Sequence, residues 1–189
     1  MHGQLLLLSI SSSLVLTAMN DLSNITLIGM PGAGKSTSGR LLSKLLNYEL
    51  LDSDDLICQQ YQRSLQNIVS EDGYMKLRQF EEQVILGIDV EKTVIATGGS
   101  AVYSPAAMHH LSEISRIVYL HVPYDIIADR IHNLDTRGLA KQPQQTLLDL
   151  YHERKYLYEK YADLTVEATS SAAEVAENIR MFVTGQAEI

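Results

Sequence analysis

An octapeptide near the amino terminus constrains the fold more than any other part of the chain. Residues 29–36 read Gly-Met-Pro-Gly-Ala-Gly-Lys-Ser, which fits the pattern GxxxxGK[ST] at every fixed position. A short apolar run (24–28) precedes it, and a segment with leucines at helical spacing (36–46) follows it. A strand, a glycine-rich turn and a helix in this order place backbone N–H groups at a helix N-terminus, where they bind phosphate. The motif therefore predicts a phosphate-binding loop (P-loop) that holds a nucleotide.

Two side chains of this loop have a defined chemistry. Lys35 supplies a mobile positive charge to the β- and γ-phosphates, and the Ser36 hydroxyl is a ligand for Mg²⁺. The other loop positions expected to bind the nucleotide are Gly32, Ala33, Gly34 and Thr37.

Short apolar runs alternate with longer amphipathic segments from residue 24 onward. The predicted strands are 24–28, 48–51, 93–96, 117–120 and 164–166. The predicted helices are 36–46, 55–61, 64–71, 73–88, 105–111, 125–132, 146–161 and 172–182. Such alternation favours parallel strands joined by right-handed crossovers. We predict a three-layer, doubly wound parallel α/β fold, with ligands beyond the carboxyl ends of the strands.

The chain of 189 residues fits one domain, which we place at residues 21–189. Residues 1–20 are apolar but are interrupted by three serines, lack a preceding Lys or Arg, and are too short to span a membrane. We expect them to be an extension outside the fold. The polar stretch at about 133–145 is long for a connection in a compact domain and is predicted to be a lid.

Charge and cysteine content restrict the partners. The formal net charge of −8 disfavours binding to nucleic acid or to an anionic membrane surface. Cys58, the single cysteine, can form neither an internal disulfide nor a zinc constellation, which indicates a reducing compartment. We expect a cytoplasmic monomer whose partners are small molecules.

Two carboxylates, Asp52 and Asp54, follow the second predicted strand. In an extended chain, residues separated by one position point the same way, so that one can reach the Mg²⁺ shell while the other faces an acceptor. The alternative interpretation makes Asp54 the N-cap of a helix that begins at Asp55. The position at a strand end favours the functional interpretation.

Together these motifs resemble the shikimate kinase family over nearly all of residues 24–183. The resemblance rests on the sequences Gly-Ala-Gly-Lys-Ser-Thr (32–37), Leu-Asp-Ser-Asp (51–54) and Ala-Thr-Gly-Gly (96–99), and on Arg78, Glu81, Arg130, Arg137 and Arg154. It implies a fold like that of P-loop nucleoside monophosphate kinases. It also implies transfer of a phosphoryl group from ATP to a hydroxyl of shikimate, with Mg²⁺ bound by Ser36 and Asp52. The implied catalytic residues are Lys35, Asp54 and Arg137, and Arg130 and Arg137 join the nucleotide site. The implied shikimate-binding residues are Asp54, Arg78, Gly98, Gly99 and Arg154.

Elementary chemistry gives several of these positions suitable roles. Arg78 and Arg154 carry planar guanidinium groups, which bind a carboxylate through two parallel hydrogen bonds. Glycine at 98 and 99 allows a substrate hydroxyl to approach the backbone closely. Glu81 lies one helical turn after Arg78, where we expect it to orient that guanidinium.

The chain departs from the family pattern at two of these motifs. The lid has Gly138 where the family usually has proline, and Ser100 stands where the family usually has a third glycine. Two alternatives therefore stay open: a kinase of the same fold for another small hydroxylated carboxylic acid, and a nucleotide-binding regulatory protein without transfer activity. Retention of Lys35, Asp52, Asp54 and Arg137 counts against the second, because a protein that only binds nucleotide needs no carboxylate on the acceptor side.

Overall fold

The structure, a computed structural model, describes residues 23–131, 140–142 and 144–186. The amino-terminal extension predicted at 1–20 lies outside the described residues, and so do Arg137 and Gly138 of the predicted lid.

Strands and helices alternate along the described chain. The strands are β1 (Asn24–Ile28), β2 (Glu49–Asp52), β3 (Thr93–Ala96), β4 (Ser115–His121) and β5 (Leu164–Glu167). The helices are α1 (Lys35–Leu46), α2 (Ser53–Tyr61), α3 (Leu65–Asp72), α4 (Tyr74–Leu86), α5 (Pro105–Ile114), α6 (Tyr124–Arg130), α7 (Leu147–Tyr161) and α8 (Ala172–Val183). A short 3₁₀ helix covers Ala101–Tyr103.

The five strands form one parallel sheet in the order β2-β3-β1-β4-β5. The central strand β1 is buried along its whole length, including its polar residues Asn24 and Thr26. Its one amide, Asn24, donates to the carbonyls of Val90 and Ile114 and accepts from the N–H of Thr93. These bonds connect β1 to the segments on both sides and satisfy a buried polar group.

Helices cover both faces of the sheet. Helix α1 packs on one face, where Gly39 lies against Leu27 of β1 and Val94 of β3, and α8 packs against α1. On the other face Tyr119 of β4 stacks on Tyr158 of α7, with ring centroids 5.1 Å apart. The predicted three-layer, doubly wound α/β fold is thus confirmed.

The predicted and observed element boundaries differ by a few residues at most, with one chemical consequence. Helix α2 begins at Ser53 rather than at Asp55, and its N-cap is Asp52. No helix in the described part of the chain is long and apolar enough to cross a membrane.

Candidate functional site

The loop between β1 and α1 has the backbone that its glycines require. Gly32 and Gly34 have φ values of 80° and 93°, which residues with a Cβ rarely adopt, and α1 begins directly after Gly34. The loop therefore presents the first N–H groups of α1 to one side, as phosphate binding demands.

Lys35 folds back onto this loop. Its ammonium donates to the carbonyls of Gly29 at 2.8 Å and Met30 at 3.0 Å, and the residue is only 9% exposed. Burial lowers the pKa of Lys35 from 10.5 to about 8, although Asp54 and Asp52 nearby favour the charged form. The site thus holds a cation at neutral pH whose hydrogen bonds, within the described residues, are made to neutral carbonyls.

Ser36 and Asp52 meet at the edge of the loop. The Ser36 hydroxyl donates to Asp52 Oδ2 at 2.6 Å, and the N–H of Asp54 donates to Asp52 Oδ1 at 3.0 Å. Asp52 is therefore the N-cap of α2, and the interpretation of Asp54 as that cap is wrong. The Asp54 carboxyl, released from capping, turns towards the cavity.

One cavity of about 360 Å³ joins the loop to the carboxyl ends of β2 and β3. Its wall on the loop side consists of Pro31, Gly32, Gly34, Lys35, Ser36 and Thr37. The opposite wall contains Asp52, Asp54, Glu81, Gly98, Gly99, Ser100, Ala140 and Arg154. Most of the predicted nucleotide and substrate residues thus share one space.

Two carboxyl groups converge beside Gly98. A Cβ on Gly98 would overlap Glu81 Oε1 and would lie 2.6 Å from Asp54 Oδ1, so glycine is required here by close approach. The N–H of Gly98 donates to Ser53 Oγ at 2.9 Å, which fixes the backbone at this point. Glu81 is 2% exposed, and its Oε2 accepts a hydrogen bond from the Ser100 hydroxyl.

Burial raises the pKa of both carboxyls. The pKa of Asp54 rises from 3.8 to about 6, first through desolvation and then through Asp52. The pKa of Glu81 rises from 4.5 to about 7, first through desolvation and then through Asp54. At neutral pH the Asp54 carboxyl is therefore more readily ionised than the Glu81 carboxyl.

The raised pKa of Glu81 predicts a pH-dependent effect of one substitution. The pKa of Glu81 is 4.5 in the unfolded chain and about 7 in the folded protein, so between these pH values the folded protein binds a proton that the unfolded chain has released. The contribution of Glu81 to the free energy of unfolding therefore falls as pH rises through this range. Glu81→Gln keeps an acceptor for Ser100 and carries no charge. We expect it to raise Tm at pH 8 by roughly 2–4 °C, about 1 kcal/mol, and by less at pH 5.

Thermal unfolding of both proteins at the two pH values measures this effect, with exposed Glu91→Gln as the control. Equal Tm differences at pH 5 and pH 8 would show that the Glu81 carboxyl titrates normally.

Two arginines converge on a single carbonyl oxygen. Arg154 Nη2 donates to the Ala140 carbonyl at 2.9 Å and Arg78 Nη2 donates to it at 3.3 Å. The Arg78 guanidinium also stacks on the Tyr103 ring, 3.5 Å from its centroid. Arg154 is 1% exposed, and Gly99 lies against its Nη1.

The Nε atoms of Arg78 and Arg154 are buried and have no hydrogen-bond partner in the described part of the chain. Buried donors without a partner are costly, so they point to a ligand that accepts hydrogen bonds. A carboxylate fits these donors, and the Ala140 carbonyl now accepts from the atoms that such a ligand would contact.

Three predicted site residues remain, of which the structure describes two, Arg130 and Ala33. Arg130 lies at the edge of the loop, where its Nη1 donates to the Gly32 carbonyl at 3.1 Å. Ala33 is buried in the hydrophobic core behind the loop. Arg137 lies outside the described residues, so its predicted role stays a prediction.

Glu81 and Ser100 line the cavity but were not predicted as site residues. Glu81 was expected to orient Arg78, yet it bonds to Ser100 instead. The sequence did contain a signal for Glu81, because this residue shares the buried face of α4 with Leu77, Val84 and Ile85. A carboxylate in the apolar stripe of a helix points to a functional or paired group. Ser100 was noted only as a departure from a glycine.

Comparison with known proteins agrees with this geometry. A family model described as shikimate kinase matches residues 31–184. A shikimate kinase from Thermosynechococcus vestitus is 36% identical over 149 residues, which is 77% of this chain and 80% of that protein. The structure of a shikimate kinase from Acinetobacter baumannii in complex with shikimate is 31% identical, with a TM-score of 0.79, and the match covers 89% of this chain and 97% of that one. The structure of a shikimate kinase from Aquifex aeolicus is 29% identical, with a TM-score of 0.76, and the match covers 86% of this chain and 96% of that one.

Proposed function

Since the chain belongs to the shikimate kinase family, we propose that it transfers the γ-phosphoryl group of ATP to a hydroxyl of shikimate, giving shikimate 3-phosphate and ADP. One observation carries the proposal. A P-loop lysine, the Asp54 carboxyl and Arg154 line the same cavity, and Arg78 donates to the same Ala140 carbonyl as Arg154.

On the nucleotide side, the N–H groups at the start of α1 bind the phosphates, and Lys35 moves from its carbonyl partners to the β- and γ-phosphates. Arg130 at the loop edge contacts the nucleotide. By family resemblance, Arg137 approaches the transferring group from the lid.

Mg²⁺ fits the oxygen donors at the loop edge. Ser36 Oγ and Asp52 Oδ2 already lie 2.6 Å apart, so both can reach one small cation. The described residues hold no group of three or more His, Cys, Asp or Glu suited to a metal, and Mg²⁺ typically takes few protein ligands. When bound, Mg²⁺ neutralises charge on the phosphate oxygens.

On the acceptor side, Arg154 and Arg78 bind the shikimate carboxylate, and Gly98 and Gly99 let the ring approach the backbone. Asp54 accepts the proton of the attacking hydroxyl. That oxygen forms a bond to the γ-phosphorus as the bond to the β–γ bridging oxygen breaks, and ADP leaves. All of these groups come from one chain, so we also propose a monomer, which light scattering tests. A location in the cytoplasm accords with the use of ATP.

A coupled assay for ADP tests the activity. Purified protein receives ATP, Mg²⁺ and shikimate, quinate, gluconate or no acceptor. We expect ADP release that depends on shikimate, with a new phosphate monoester in the phosphorus NMR spectrum. Equal or faster turnover with another acid would favour a different acceptor, and nucleotide binding without transfer to any acid would favour a regulatory protein.

The acceptor role of Arg154 gives a separate prediction. Arg154→Ala removes charge-assisted hydrogen bonds to the acceptor carboxylate, each worth about 1.5–3 kcal/mol. We expect shikimate affinity to fall roughly tenfold or more, while ATP affinity changes little. Isothermal titration with each ligand measures both constants.

Exposed Arg40→Ala provides the control for a lost arginine, and Arg154→Lys keeps the charge but not the planar fork. Tm values identify any loss of folding. If shikimate and ATP affinity fell equally in folded Arg154→Ala, Arg154 would not belong to the acceptor site.

A further inference from the structure

Tyr103 lies between the two helices that carry the acceptor arginines. It ends the 3₁₀ helix, which packs against α4, where Arg78 lies, and against α7, where Arg154 lies. The centroid of its ring is 3.5 Å from Cζ of Arg78 and 5.4 Å from Cζ of Arg154. Both distances are within the range of about 6 Å over which an aromatic ring attracts a cation. One ring therefore contacts both guanidinium groups.

The segment that carries this ring is fastened to both helices. The Ser104 hydroxyl donates to the Glu82 carboxylate of α4, and the Tyr158 hydroxyl of α7 donates to the Gly99 carbonyl at 2.7 Å. Tyr103 itself is half-buried and is not among the described residues that line the cavity. The ring thus has a fixed position beside the arginines and outside the cavity wall.

The two arginines need such a neighbour because their charges repel each other. Burial lowers the pKa of Arg78, and the charge of Arg154 adds to this effect. Both groups nevertheless converge on the Ala140 carbonyl. A carboxylate side chain would balance their charges, but it would also occupy the N–H donors that an acceptor needs. An aromatic ring attracts the flat face of a guanidinium, so the N–H groups in its plane stay free.

The contact is made by the ring of Tyr103 and not by its hydroxyl. The hydroxyl is buried and has no hydrogen-bond partner among the described residues. Tyr74 also faces Arg78, but its ring centroid lies farther away, 5.2 Å from Cζ. In the described part of the chain, Tyr103 is therefore the closest aromatic contact of Arg78, and the same ring lies near Arg154.

We propose that Tyr103 is a positioning residue of the acceptor site, whose ring holds the guanidinium planes of Arg78 and Arg154 so that their N–H edges converge on one carboxylate. The proposal rests on the proposed function, and it adds a residue that touches neither the acceptor nor the reacting atoms. Without the ring, the mutual repulsion of the arginines turns Arg78 away, and the acceptor must bring it back at a cost in affinity.

Isothermal titration and steady-state kinetics test this role through a substitution of the ring. Tyr103→Leu keeps an apolar side chain but removes the aromatic face. We expect the Kd and the KM for shikimate to rise roughly three- to thirtyfold, the range for loss of a desolvated contact between a cation and a ring. The values of kcat and of the KM for ATP should stay within about twofold, because the lost interaction serves acceptor binding alone.

Two further variants separate positioning from packing. Tyr103→Phe keeps the ring and loses only the unpartnered hydroxyl, so it should keep the wild-type affinity. Exposed Tyr156→Leu is the control for the same substitution outside the site. An unchanged Kd in folded Tyr103→Leu, or an equal loss in Tyr103→Phe, would overturn the proposal. Tyr103→Met removes the same ring and replaces Tyr103→Leu if the latter fails to fold.

A double-mutant cycle determines whether Tyr103 acts through Arg78. In the Arg78→Ala background, Tyr103→Leu should weaken shikimate binding less than it does in the wild type, because only the longer contact with Arg154 remains. A loss of the same size in both backgrounds would show that the ring does not act through Arg78, and it would also overturn the proposal.

Crystal structures of wild-type protein and of Tyr103→Leu, both without ligands, test the inference without activity. We expect Arg78 to adopt a different rotamer in the variant, with its guanidinium turned away from that of Arg154. The same Arg78 rotamer in both crystals would overturn the inference. This measurement needs no acceptor, so its failure is distinct from failure of the proposed function, in which wild-type protein would release no ADP in response to shikimate.

Discussion

Lys35→Met should lower kcat at least about 10²-fold, as for the loss of one strong group that stabilises transition-state charge. Phosphoryl transfer spreads negative charge over the γ-phosphate oxygens, and Lys35 is the buried cation at the loop. Methionine fills a similar volume without charge. Since burial already lowers the pKa of Lys35 to about 8, removing the ammonium relieves a desolvation cost, and we expect the fold to persist.

The measurement is kcat in the coupled assay together with Tm. Lys44→Met serves as a matched control, because Lys44 lies at the other end of the same helix and is exposed. Near-normal kcat in folded Lys35→Met would remove the P-loop lysine from the transfer step.

The order of elements was predictable because it is local information. The octapeptide 29–36 determined one strand, one loop and one helix start, and the alternating pattern gave the others to within a few residues. The sheet order β2-β3-β1-β4-β5 needed the structure, because which strands pair depends on contacts far apart in the sequence.

The site was predictable where a motif specifies backbone geometry. The P-loop and the carboxylates at 52 and 54 lie together as strand ends on one parallel sheet must. The roles of Asp52 and Asp54 as caps were not predictable, since a small shift in the helix start exchanges them.

The partner of Glu81 was predicted wrongly for a different reason. Its sequence spacing to Arg78 is correct for a helical pair, yet the nearest donor comes from Ser100, nineteen residues away in the loop after β3. Only the tertiary approach of that loop to α4 decides between the two partners. The convergence of both arginines on the Ala140 carbonyl has the same origin.

Asp54→Asn should lower kcat about 10²–10⁴-fold, the range typical of a lost general base. The carboxyl of Asp54 faces the cavity and is not occupied by capping, which Asp52 performs. Asparagine preserves the size but cannot take the hydroxyl proton. Asp55→Asn is a matched control, because Asp55 is the next residue of the same helical turn and lies outside the cavity.

The pH profile of kcat/KM makes the assignment specific, because it reports groups of the free enzyme. Asp54, whose pKa is raised to about 6, must be ionised to accept a proton, so activity should fall below that pH. Lys35, whose pKa is lowered to about 8, must be protonated, so activity should fall above that pH. Asp54→Asn should lose the acidic limb and keep the alkaline one. If its residual activity kept the acidic limb, with kcat close to that of Asp55→Asn, another group would take the proton and Asp54 would serve only to bind the acceptor.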